Sequence, residues 1–187
     1  MGEMIQVRDG RELIIRSAIP GDGQRVYDFM YALGDSTDRL LTHPGDMRTV
    51  EQYESSITQI AQGGFYSLCA IDPETDAIVG NAAFYPGSRV KIAHAAGMVL
   101  GVLPQWQGCG LGVWLLNRSI EDMRKNPKIL RLDLLVMDGN DHAKKMYERV
   151  GFKVEGHREK AVRQPSGELC GEYMMGMWIG NGNTTNE

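Results

Sequence analysis

Two spacings of apolar residues run through the chain and predict most of its elements. Leu111, Leu115, Leu116, Ile120 and Met123 recur at three- and four-residue intervals, which predicts a helix with one buried stripe that stops before Pro127. Leu130, Leu132, Leu134 and Val136 instead alternate with Arg131 and Asp133, so residues 129–137 read as a strand. Val26, Phe29, Met30 and Leu33 mark a helix over 20–33, opened by Pro20, and Thr49 to Gln52 is a capping signal for a second over 49–62, closed by Gly63-Gly64. Asp9-Gly10 between 5–8 and 12–18 predicts an opening hairpin. Strands follow at 65–71, 77–85 and 91–103. Asn140 caps a helix whose Ala143, Met146, Tyr147 and Val150 share a face and which Gly151 ends. Strands over 152–159 and 168–179 close the chain, joined at Pro165-Ser166-Gly167. The order gives one α/β domain over residues 1–179, with a mixed sheet, helices on both faces and a disordered tail over 180–187.

Between the strand at 91–103 and the next helix lies the stretch Val102-Leu103-Pro104-Gln105-Trp106-Gln107-Gly108-Cys109-Gly110-Leu111-Gly112. Glycines at alternate positions let successive N–H groups turn inward, and the helix start adds unpaired N–H groups and a positive dipole end. That is a cradle for a phosphate group. It lacks the Gly-Lys-Ser/Thr end of a nucleoside-triphosphate loop. Against the dinucleotide fingerprint, Val113 stands where a third glycine belongs, and Asp133, at the right distance, falls mid-strand.

Composition narrows the function classes. The chain has 187 residues, 42% of them hydrophobic, enough for a full core, and a net charge of −4 without a long basic run, so no nucleic-acid footprint is expected. No run of about eighteen apolar residues predicts a membrane span, and the N-terminal residues lack a signal-peptide pattern, so a cytoplasmic protein is expected. Three cysteines and four histidines show no metal-ligand spacing, and no Gly-x-Ser-x-Gly elbow occurs; no metal is expected.

The pattern Gln107-x-x-Gly110-x-Gly112 after a Val-x-Pro strand end resembles the coenzyme A loop of the GNAT family of acyl-CoA N-acyltransferases. A second segment, with Asn140, Ala143, Tyr147, Glu148 and Gly151-Phe152, resembles the later helix of the same family. The resemblance covers about residues 12–179. It implies a mixed, mostly antiparallel sheet of about six to seven strands that splays beside the cradle to form a cofactor cleft. Acetyl-CoA would be held by Leu100, Val102, Gln107, Gly108, Cys109, Gly110, Leu111, Gly112, Asn140 and Ala143. Gly101 fits a bulge that would cause the splay. The family's third cradle position is usually basic; here it is Cys109, and a cysteine at a helix start could also be oxidant-sensitive.

The implied activity is acetyl transfer to a primary amine: a small amine, an amino acid or a peptide N-terminus. Tyr147 matches the family's proton donor to the departing thiolate. An acid usual near position 97 is replaced by Gly97, which leaves His94 as the candidate base, with Glu172, Glu54, Tyr53 or a water chain as further options. Met30, Tyr31, Asp35 and Tyr53 are candidate acceptor contacts, and the final strands offer an edge for a homodimer. The alternative, motivated by Gly97, is a noncatalytic acyl-CoA-binding module.

Overall fold

The structure is a computed structural model that describes residues 2–61 and 66–180. The expected tail beyond residue 180 and the Gly63-Gly64 helix stop lie outside the described residues. Among the described residues, eight strands form one sheet: β1 (Glu3–Gln6), β2 (Glu12–Ser17), β3 (Tyr66–Ile71), β4 (Ile78–Pro86), β5 (Ala95–Val102), β6 (Arg131–Met137), β7 (Lys153–Arg163) and β8 (Leu169–Trp178). Their order is β1-β2-β3-β4-β5-β6-β8-β7, so the count exceeds the expected six to seven: the opening hairpin adds β1 as a full edge strand. Four helices accompany them: α1 (Gly23–Asp35), α2 (Val50–Ala61), α3 (Leu111–Arg124) and α4 (Asp141–Val150).

Local chemistry sets the helix ends. The Thr49 hydroxyl accepts from the Gln52 N–H (3.3 Å) while the Gln52 amide oxygen accepts from the Thr49 N–H (2.9 Å), a reciprocal box that starts α2. α1 starts later than Pro20 suggests. Its first N–H groups are met by a neighbouring helix, since Glu54 of α2 accepts from Gly21 (2.7 Å) and Gly23 (2.9 Å). Asn140 caps α4 by accepting from the Ala143 N–H (3.4 Å), and Gly151, at φ 118°, supplies the left-handed turn that ends it.

Neighbouring glycines show which helix covers which face. A methyl group at Gly80 would meet Leu115 and Leu111 of α3, whereas one at Gly101 would stand 2.3 Å from Leu33 Cδ2 and 3.3 Å from Phe29 Cζ of α1. Gly80 is paired with Val102, so Gly101 faces the other way, and α1 and α3 sandwich the sheet. The expected bulge at Gly101 is corrected by the same facts: the β4–β5 register is continuous through Asn81 and Gly101, and the glycine is there to admit α1. Gly101→Ala is expected to destabilise the fold by about 1–3 kcal/mol through overpacking, read as a lowered denaturant midpoint at unchanged slope.

All neighbouring strands run antiparallel except β5 and β6, which are parallel and pair only through Ala95–Arg131, Ala96–Leu132 and Gly97–Asp133. Beyond Gly97 each keeps its outer partner, β5 with β4 as far as Val102 and β6 with β8 as far as Met137. The two strands therefore part where their C-terminal halves begin. This gap sits beside the cradle.

Candidate active site

The cradle is built as its glycines require. Gly108 (φ +77°) and Gly110 (φ +89°) occupy left-handed conformations that suit glycine, and Gly110 is the N-cap of α3, whose first turn carries no acid. Two contacts brace the loop from within. The Gln107 amide donates to the Val102 carbonyl (2.9 Å), and the buried Cys109 thiol donates to the Trp106 carbonyl (3.0 Å). Gln107 is thus tied to the loop's own backbone, and Cys109 reads as a small buried packing residue.

The β1–β2 hairpin closes on the same loop. The Arg8 N–H donates to the Cys109 carbonyl (3.1 Å), and a side-chain carbon at Gly110 would stand 3.1 Å from Arg8 Nε and 3.4 Å from its Cδ. Arg11 stacks 3.8 Å over the Trp106 ring, donates to the Gln105 carbonyl (3.1 Å) and pairs with Asp9. The exposed Arg8 guanidinium has no ion pair or hydrogen bond among the described residues.

From the gap a cavity of about 600 Å³ opens through the sheet. Residues from both faces of β6 line it, Leu134 and Val136 on one side and Asp133, Leu135 and Met137 on the other, because the cavity passes between strands. Leu100, Asn140, Ala143 and Tyr147 line the α4 side; Met30, Arg39, Leu41, Tyr85 and Met174 line the other. Tyr147 packs edge-on against Phe152, and its hydroxyl has no protein hydrogen bond among the described residues. Burial pushes its phenol well above the ordinary range, so Tyr147 keeps its proton at any physiological pH.

Three carboxylates border the cavity. Asp133 and Glu155 share the Arg131 guanidinium, which reaches Asp133 Oδ1 (2.7 Å) and pairs with Glu155, and this hydrogen bond holds the Glu155 carboxyl below its usual range. Glu172 on β8 is 2% exposed; Oε1 accepts from Arg158, and Oε2 is buried with no partner among the described residues. A side chain at Gly97 would meet nothing closer than the Tyr85 carbonyl at 3.9 Å, so packing does not exclude an acid there.

His94 does not reach this site. The expected strand over 91–103 begins only at Ala95, after a short 3₁₀ turn over Val90–Ile92, and His94 sits exposed in the turn between them, at the end where β5 and β6 are still paired. Its carbonyl serves the Leu130 N–H instead (2.8 Å). Of the candidate acceptor contacts, Met30 lines the cavity. Tyr31 and Asp35 are exposed and Tyr53 packs edge-on against Tyr27, all three off the cavity wall. Glu54 is occupied at the start of α1.

Residues 32–152 match the model of the Acetyltransferase (GNAT) family. The chain belongs to that family. It is 28% identical over 98 residues to the L-amino acid N-acetyltransferase AaaT of Escherichia coli (strain K12), a match covering 52% of this chain and 60% of that protein. A GNAT acetyltransferase from Streptococcus pneumoniae superposes with a TM-score of 0.83 at 25% identity, over 89% of this chain and 99% of its own. The yncA structure from Salmonella typhimurium, solved with its cofactor acetyl-CoA, superposes at 0.80 and 17% identity, over 93% and 98%. The matched residues include both the cradle before α3 and the tyrosine-bearing α4. Among the described residues, no helix is long and apolar enough to cross a membrane.

Proposed function

We propose that this GNAT chain is an N-acetyltransferase that moves the acetyl group of acetyl-CoA to a primary amine. The observation that carries the reading is the parted strand pair: β5 leaves β6 beyond Gly97 and runs on to the glycine-rich cradle, and the cavity at the gap has a protonated phenol on its wall. Coenzyme A fits the residues present. The N–H groups of 108–112 suit a pyrophosphate, and the backbone edge of β5 beyond Gly97, which has left β6, suits the amide-bearing pantetheine arm near Leu100 and Val102.

Arg8 strengthens the fit. Its guanidinium lies against Gly110, the N-cap of α3, at the positive end of the helix dipole, and the cradle itself carries no charged side chain. Two positive features held together repel unless an anion stands between them. We infer that the hairpin supplies the cation that the family's loop usually carries where this chain has Cys109.

When bound, acetyl-CoA supplies the thioester whose carbonyl is attacked. Tyr147 holds a proton on Oη next to the gap, ready for the leaving sulfur. Met30, Leu41, Tyr85 and Met174 give the acceptor side an apolar wall, which suits an amine with an apolar body. The name of the AaaT relative puts L-amino acids first on an acceptor panel, followed by small amines and N-terminal peptides.

Release of free thiol from acetyl-CoA across that panel tests the reading. Turnover with at least one amine is expected. Gly97 motivates the second reading, a binding module, which predicts that coenzyme A binds and no amine is acetylated.

A further inference from the structure

An amine attacks only when unprotonated, and Gly97 on β5 carries no side chain that could take its proton. The remaining titratable groups on the cavity wall differ sharply. Asp133 and Glu155 are both bound to Arg131, with side chains 41% and 45% exposed, and water competes for them. Glu172 is different. Its side chain is 2% exposed, and one carboxylate oxygen is buried without a donor among the described residues.

A buried carboxylate oxygen without a hydrogen bond costs stability, and such groups are rare in folded proteins unless a ligand completes them. The register shows where this one stands. Glu172 pairs with Met137 of β6 and Arg158 of β7, and two residues further along the same face of β8 Met174 pairs with Leu135, beyond the point where β6 has left β5. Glu172, Met174 and Leu135 all line the cavity, so the residue that carries the unpartnered oxygen stands on the wall on which an acceptor would lie. Arg158 from β7 pairs with Glu172, and the His157–Asp138 pair lies beside Gly171; the other charged groups of the cavity wall are Arg39 from the α1–α2 connection and the Arg131–Asp133–Glu155 cluster, whose β6 members the register places four to six residues further along β8.

We propose that Glu172 Oε2 binds the ammonium group of the acceptor and takes the proton that frees the amine. One N–H bond breaks, an O–H bond forms at Oε2, and the electron pair stays on nitrogen. The proton then passes to solvent through the cavity mouth, which accounts for the single proton that the overall transfer releases. Arg158 holds Oε1 and orients the carboxylate. The assignment rests on the transferase reading.

The test uses the full chain with acetyl-CoA and the panel of twenty L-amino acids, diamines and N-terminal peptides, with thiol release followed from pH 6 to 10. With any acceptor that the unmodified protein acetylates, Glu172→Gln is expected to lower kcat/KM about a hundredfold near pH 7 at unchanged affinity for coenzyme A. The deficit should shrink as pH rises, because solution then delivers the amine already unprotonated. Glu172→Asp keeps a carboxylate and should retain more activity than Glu172→Gln, while Arg158→Gln should lose less than tenfold. A Glu172→Gln rate within twofold of the unmodified protein at every pH overturns the assignment. So does a pH-independent loss that Arg158→Gln reproduces, which would make the pair a staple between β7 and β8. Absence of turnover by the unmodified protein on the whole panel overturns both this assignment and the transferase reading.

Discussion

Tyr147→Phe is expected to lower kcat by about a hundredfold to a thousandfold, the usual range for removing a positioned proton donor, while affinity for coenzyme A stays the same. The hydroxyl makes no protein hydrogen bond among the described residues, so its removal leaves no partner unsatisfied and thermal stability should hardly change. The ring's contacts with Phe152 and the α4 face survive in phenylalanine. Burial raises the phenol's pKa, which favours the neutral, proton-bearing form, so the donor stays loaded as pH rises. The rate should therefore show no basic limb from this group below about pH 10, the ordinary tyrosine value. A variant that keeps full rate would remove Tyr147 from the chemistry and leave it a core residue of α4.

Arg8→Glu is expected to weaken coenzyme A binding about a hundredfold, and Arg8→Gln about tenfold, on the scale of a charge-assisted hydrogen bond lost and then reversed in sign. Titration calorimetry on the full chain reads both. The sign of the stability effect separates ligand binding from scaffolding: without cofactor, neither variant should melt lower, because the guanidinium has no partner among the described residues and faces the positive end of α3. Coenzyme A lacking its 3′-phosphate should suffer the same fold-loss if Arg8 serves the pyrophosphate. Equal affinity of Arg8→Gln and the unmodified chain would remove Arg8 from the site.

The cradle and α4 were legible in the sequence because each depends on local rules. Glycines at left-handed positions, an asparagine cap and a helical apolar stripe are all short-range patterns, and Gly108, Gly110, Asn140 and Gly151 sit where those patterns place them. What failed depended on strand phase and on register. Residues 91–94 read as a continuation of an apolar strand, yet the chain turns there and takes His94 away from the gap. Gly101 signals an irregular backbone from sequence, but its lack of a side chain answers to Leu33, nearly seventy residues earlier in the chain. Arg8 meets Cys109 only through the packing of the hairpin, and the cavity wall around Glu172 exists only once β8 is in register with β6 and β7.

The cleft between β5 and β6 is proposed to carry acetyl transfer to an amine. The most direct test incubates the full chain and Tyr147→Phe with acetyl-CoA and the amine panel, counting both released thiol and acetylated amine by mass spectrometry. Equal amounts of the two products are expected with at least one amine, at a rate that Tyr147→Phe lowers by about a hundredfold or more. Tight coenzyme A binding with neither product from any amine would contradict it and leave a binding module.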